Sequence, residues 1–185
     1  KEKEGEQARQ DSIQFWRSLL VNKQTILNAT KNISTIDDTT CIEHQLSEKA
    51  LKALKNTEKT LGIPSEFIRA ACFHLLLSKI SGQPFIITYE PFREHLGDKE
   101  NNRVGYNSRG RYFLSLTHGD QRIRDYLLDS WYLYQYIDKH SDLNPFEIIK
   151  ELRKYDPKLE QLTNISLSID YLTNIKFELE NCNTE

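Results

Sequence analysis

The chain has 185 residues, 38% hydrophobic and 28% charged, and its 25 basic and 27 acidic side chains leave a formal charge of -2. A chain of this size buries enough surface to fold as one domain without a disulfide framework or a structural metal. Charge this close to balance argues against a dedicated nucleic-acid binder, which needs a clustered excess of Lys and Arg.

Glycine is scarce, 7 of 185 residues, which is about 4% against a usual ~7% and counts against glycine-dependent architectures. The sequence contains no Met, so a chain trimmed from something longer is expected. Its three cysteines, Cys41, Cys72 and Cys182, are scattered and form no Cys-x-x-Cys pair. That is the pattern of reduced thiols in a cytoplasmic protein. No apolar run reaches the ~18 residues of a membrane span, and the charged N-terminus carries no signal-peptide core. With nothing else pointing to secretion, the sequons at Asn28, Asn32 and Asn164 read as chance in an Asn-rich chain.

In chain order, residues 1–11 are polar and read as a flexible linker, leaving 12–185 as a single domain. Ile13, Phe15, Trp16, Leu19 and Leu20 recur at helical spacing, which predicts a short amphipathic helix from Ser12 to Val21. A connector rich in Asn, Thr and Asp follows, with a strand expected at Thr39 to His44. Ser47 is placed as the N-cap of a helix whose stripe is Leu51, Leu54 and Leu61, stopping at Gly62. Ser65 is expected to cap the next helix, which is apolar nearly all round with only Arg69 and Lys79 outward, and is therefore central. Phe85 to Tyr89 is β-branched or aromatic and predicts a buried strand, and a charged loop is expected from Glu90 to Asn102. Tyr112 to Thr117 predicts a second strand. A long helix should follow Asp120, placed as its N-cap, and end near Lys139 and His140. Asn144, Pro145 and Glu147 spell a capping box for a helix buried through Phe146, Ile149 and Leu152. Ile165, Leu167, Ile169 and Tyr171 alternate with polar residues as a half-buried strand does. Helices and strands are interspersed, so the fold class is α/β (α+β), a mixed sheet with helices packed on it.

Chemistry is sparsely marked. The five histidines stand apart without zinc-ligand spacing. His74, in the apolar helix, reads as a hydrogen-bonded structural residue; His118 lies between a strand and a helix, where a turn and a catalytic base are both open. No Gly-x-Ser-x-Gly elbow or phosphate loop is present. Cys72 falls on the expected core face, as inert packing. Two clusters remain: a basic loop with Arg103, Arg109 and Arg111, and the aromatic run Trp131, Tyr132, Tyr134 and Tyr136, which puts rings on more than one helix face and so offers an interface.

Several segments, in order, resemble one family. Ser12 to Leu20 looks like the helix opening the C-terminal lobe of nonribosomal peptide synthetase condensation domains. Leu61 to Gln83 resembles that lobe's central helix with its Ser-Gly-Gln exit. Val104-Gly105-Tyr106-Asn107 with the strand Tyr112 to Thr117 resembles its Gly-Tyr/Phe-x-Asn segment, Asn144-Pro145-Phe146 its Pro-Phe helix start, and Ile165 to Tyr171 its late strand. Pro91-Phe92-Arg93-Glu94 departs from the family's Pro-x-x-Gly-Arg turn.

The resemblance implies one lobe of a chloramphenicol-acetyltransferase-like fold. It implies a part, natural or truncated, of a cytoplasmic peptide or hybrid peptide-polyketide synthetase of secondary metabolism. The family's catalysis depends on a His-His-x-x-x-Asp-Gly motif that this sequence lacks, so no catalytic residue is carried over and the lobe is expected to be noncatalytic by itself. Its implied partners are adenylation and carrier-protein domains, with no nucleic acid and no membrane. No cofactor is expected to bind directly; phosphopantetheine would arrive on a carrier protein. Partner-facing residues are expected to be Trp131, Tyr132, Tyr134, Tyr136, Arg109 and Arg111. The alternatives are a degenerate recruitment module for a carrier protein or tailoring enzyme, and an acyltransferase using His118 or His74 as base.

Overall fold

The structure, a computed structural model, describes residues 2–26, 44–93, 108–140 and 143–168. The expected strand at Thr39, the Val104 to Asn107 segment, Arg103, Cys41, Cys182 and the continuation past Ser168 lie outside these residues. Among the described residues, five helices and two strands follow in the order α1 (Glu2–Leu20), α2 (Glu48–Leu61), α3 (Ser65–Ser81), β1 (Phe85–Arg93), β2 (Ser108–Leu116), α4 (Ile123–Asp138) and α5 (Pro145–Leu152).

α1 begins ten residues before the expected start and takes in the segment read as a linker. Gln7 donates to Asp11 and Gln10 to Glu6, both at 2.9 Å and one turn apart, and Arg9 reaches Glu147 of α5 at 2.9 Å. Such pairs lend helix support to a stretch with little apolar surface. The buried face of α1 starts at Ser12 and continues through Trp16 and Leu20.

α2 is capped as expected, with Ala50 N donating to Ser47 Oγ at 3.2 Å and Gly62 ending the helix at φ 67°. Its leucine stripe is shallow: Leu54 and Leu61 are half-buried and Leu51 is exposed, so α2 is peripheral. α3 is central, but its first helical residue is Ser65 and its N-cap is Pro64, which offers no side-chain cap. Phe67, Ile68, Ala71, His74 and Leu77 are buried, whereas Cys72 and Leu76 are exposed. The burying face is thus rotated from the expected one, because the sheet and α4 pack only on the side that carries His74.

β1 and β2 pair antiparallel, with Phe85 opposite Leu116, Thr88 opposite Phe113 and Glu90 opposite Arg111. The other edge of β1 takes parallel bonds, from Tyr89 N to Ile165 O at 2.9 Å and from Leu167 N to Tyr89 O at 2.8 Å. The pairing is therefore mixed, and Ile165 and Leu167 are half-buried between exposed neighbours. β1 runs past Tyr89 into the expected loop because Glu90 is buried against its cross-strand partner.

Strand alternation divides the interior in two. Ile87, Tyr112 and Leu114 face α1 and α5 with Trp16, Leu20 and Ile148. Phe113 faces α3 and α4 with Phe67, Ala71, Tyr126 and Leu127. The described residues are therefore layered, with helices on both faces of the sheet.

α4 starts at Ile123 with Arg122 in the N-cap position, not Asp120, because His118 to Gln121 form a separate turn closed by Gln121 N to His118 O at 3.1 Å. α5 carries the expected capping box: Glu147 N donates to Asn144 Oδ1 at 3.0 Å and Asn144 N to Glu147 Oε2 at 3.1 Å. Its buried residues are Pro145, Ile148 and Leu152, with Ile149 half-buried. Phe146, expected inside, is 86% exposed, since it lies one position off the i, i+3, i+7 stripe that α1 covers.

Candidate functional site

His74 sits at the centre of the sheet, α3 and α4 layer. Its Nδ1 is 2.9 Å from Ser115 Oγ on β2 and its Nε2 is 2.8 Å from Thr88 Oγ1 on β1. The ring is fully buried and lies against Phe113, with centroids 4.2 Å apart. Burial lowers its pKa to about 3. A neutral imidazole has one donor and one acceptor, and here both are committed to hydroxyls of neighbouring strands. The ring ties α3 to the sheet and has no face or nitrogen free for a substrate. Nearby, the Tyr126 hydroxyl donates to Ala71 O at 2.8 Å. Burial raises its pKa, against the opposing effect of Ser115 and Ser130 beside it.

His118 is exposed in the turn before α4, and its imidazole makes no hydrogen bond among the described residues. It borders a depression of about 180 Å³ with Leu116, Asp129, Ser130 and Leu133. Cys72 is solvent-exposed, which corrects its expected place in the core, and partial burial of the sulfur pushes the thiol pKa up. A raised pKa leaves less thiolate, so this is a slow nucleophile. No cluster of three or more His, Cys, Asp and Glu that could hold a metal occurs among the described residues. No helix among them is long and apolar enough to cross a membrane.

The expected partner-facing residues separate into two groups. Arg111 is held within the fold: its Nε donates to Glu90 Oε2 at 2.7 Å, its Nη1 to Asp138 Oδ1 at 2.9 Å and its Nη2 to the Tyr134 hydroxyl. The guanidinium also lies 4.5 Å above the Tyr134 ring. Glu90 is buried, and that burial raises its pKa although Arg111 pulls it down. Tyr134 and Trp131 stack with centroids 5.8 Å apart, and both meet Phe67 edge-on. These three residues fasten α4 to β2 and α3. Arg109 lies in β2 opposite Phe92, and its side chain falls outside the described residues.

Tyr132 and Tyr136 are on the other side of α4, 63% and 53% exposed. They are four residues apart and so lie one above the other on one face. Around Tyr136 the structure adds two rings that the sequence did not place there. Phe15 of α1 meets Tyr136 edge-on at 5.3 Å, and His140 stacks on Phe15 at 4.1 Å and meets Tyr136 at 5.4 Å. Trp16 Nε1 donates to His140 O at 3.0 Å, which holds the corner in place. The result is a preordered aromatic surface built from α1 and α4, the type of surface over-represented in protein recognition.

No family model and no curated protein matches the chain. Solved structures do. The chain is similar to holo-AB3403, a four-domain nonribosomal peptide synthetase bound to AMP and glycine, with TM-score 0.75 and 18% identity over 88% of this chain and 13% of that one. It is similar to the EpoB cyclization-docking bidomain from Sorangium cellulosum, with TM-score 0.64 and 18% identity over 87% and 34% of the two chains. It is also similar to the X-domain from teicoplanin biosynthesis in its complex with OxyB, with TM-score 0.64 and 15% identity over 78% and 33%. The first condensation domain of the CDA synthetase matches with TM-score 0.62 and 11% identity over 78% and 33%. The chain thus spans about a third of the single-domain and bidomain structures it matches. Its fold is that of part of a nonribosomal peptide synthetase condensation domain, α/β and mixed in its strand pairing.

Proposed function

We propose that this chain is a noncatalytic, C-terminal condensation-domain lobe of a peptide or hybrid peptide-polyketide synthetase, serving as a structural platform for a neighbouring adenylation or carrier-protein domain. The observation that carries this is the fold, shared with condensation domains over most of this chain but only a third of theirs. The sequence contributes no adjacent histidines, and His74 has both nitrogens committed to the fold. Tyr132 and Tyr136, with Phe15 and His140 beside them, are the surface on which such a domain docks. Any phosphopantetheine belongs to the carrier protein.

The test is a titration of the ¹⁵N-labelled protein with carrier and adenylation domains from the same source, followed by NMR. Shifts should centre on Tyr132, Tyr136 and their helix. Replacing both tyrosines by Ala should weaken binding at least about tenfold, the loss expected of aromatic anchors at an interface. Absence of shifts with every domain would remove the docking role. A second reading, a recruitment module for a tailoring enzyme, is favoured by the likeness to an X-domain solved in complex with OxyB. It predicts the same tyrosine shifts with a tailoring enzyme and none with carrier or adenylation domains.

A further inference from the structure

α3 is apolar nearly all round, and a helix of that kind is ordinarily covered on every side. Among the described residues one side of it is left exposed. Leu76 is 53% exposed, Ile80 68%, and Cys72 one turn earlier is exposed as well. Spaced at i, i+4 and i+8, the three make one ridge along the helix. Arg69 and Lys79 are exposed beside it, and neither forms an ion pair among the described residues. The only acid in α3 is Glu66, in the first turn, where Ser65 donates to it.

We propose that this ridge docks an apolar helical face rimmed by Asp and Glu on a partner protein domain. The apolar side chains supply the area to be removed from water, and the two cations, without an ion pair among the described residues, select an acidic rim by charge complementarity. A second copy of this chain is a poor occupant. Laying two such ridges together in either direction sets Arg69 or Lys79 against another cation, a like-charge contact that works against association. The surface is separate from Tyr132 and Tyr136, so its test does not depend on theirs.

Cys72 supplies the reporter. In a Cys41→Ser, Cys182→Ser background it is the only thiol, and its alkylation by iodoacetamide can be followed by mass. The probe is a synthetic amphipathic helical peptide with a Leu stripe flanked by Glu; the control carries Lys at each Glu position. With the acidic peptide ten times above its Kd, about one chain in eleven is free, so alkylation should slow about tenfold. The Lys peptide should give no protection, and added salt should weaken the effect of the Glu peptide. Leu76→Asp with Ile80→Asp should abolish protection. Arg69→Glu with Lys79→Glu, which alters only exposed positions, should transfer it to the Lys peptide. The proposal is overturned if the acidic peptide gives no protection or if both peptides protect equally. It is also overturned if Cys72 becomes protected with rising protein concentration alone, alongside a dimer mass in sedimentation.

Discussion

Replacing Arg111 by Met tests whether the Glu90, Arg111 and Tyr134 contacts hold α4 to the sheet. Glu90 is 3% exposed and would be left buried without its cation. Breaking a buried pair from one side commonly costs about 3–5 kcal/mol. Here the part that acts through Glu90 has a ceiling, because the carboxyl can escape its charge by taking a proton. Starting from its ordinary value of 4.5, that escape costs about 1.36 kcal/mol per pH unit, or about 5 kcal/mol at pH 8 and about 2 kcal/mol at pH 6. The sign follows from a pKa that is higher in the folded state than in the unfolded chain: the protonated, folded form is favoured as pH falls, and stability is lost as pH rises. With an m-value of about 2 kcal/mol/M, the urea midpoint of Arg111→Met should fall by up to about 2.5 M at pH 8 and about 1 M at pH 6. Fluorescence of Trp16 and Trp131 follows the transition. Adding Glu90→Gln should recover the pH-dependent part, leaving only the lost Tyr134 and Asp138 contacts. An equal loss at both pH values, or a double variant no more stable than the single one, would refute the reasoning.

His74, held near 3 against an ordinary 6.5, imposes the opposite trend. The unfolded chain binds a proton that the native ring refuses, so stability is full above pH 6.5 and falls by about 1.4 kcal/mol per unit below it. His74→Gln should lose this slope in acid titrations monitored by circular dichroism. Removing the α5 cap with Asn144→Ala should cost about 1 kcal/mol in urea unfolding. Gly110→Ala should also destabilise, because its Cβ would clash with the Tyr89 hydroxyl; the ring must swing away at a cost of about 1–3 kcal/mol. Tyr89→Ala in the same chain should make the two effects non-additive by thermal melting.

The features legible in the residues were the short-range ones. Ser47 and Gly62 bound α2 and Asn144 with Glu147 opens α5 because capping partners lie within four residues of each other. The strands around Ile87 and Leu114 were readable because β-branched and aromatic runs carry their own preference. The order of these elements was enough to match them to a condensation-domain lobe. Tertiary structure decided the rest. Glu90 belongs to a strand because an arginine 21 residues away neutralises it, and Arg111 is consequently withdrawn from the surface where its charge alone would place it. The aromatic corner joins Phe15 to Tyr136 and His140 across more than 120 residues. No window of sequence contains that contact. α3 shows the division within a single helix: its surplus of apolar residues marks it as central, but which side stays bare depends on where the sheet and α4 pack. Periodicity records how much apolar surface a helix carries, and only its neighbours in space determine which part of that surface leaves water.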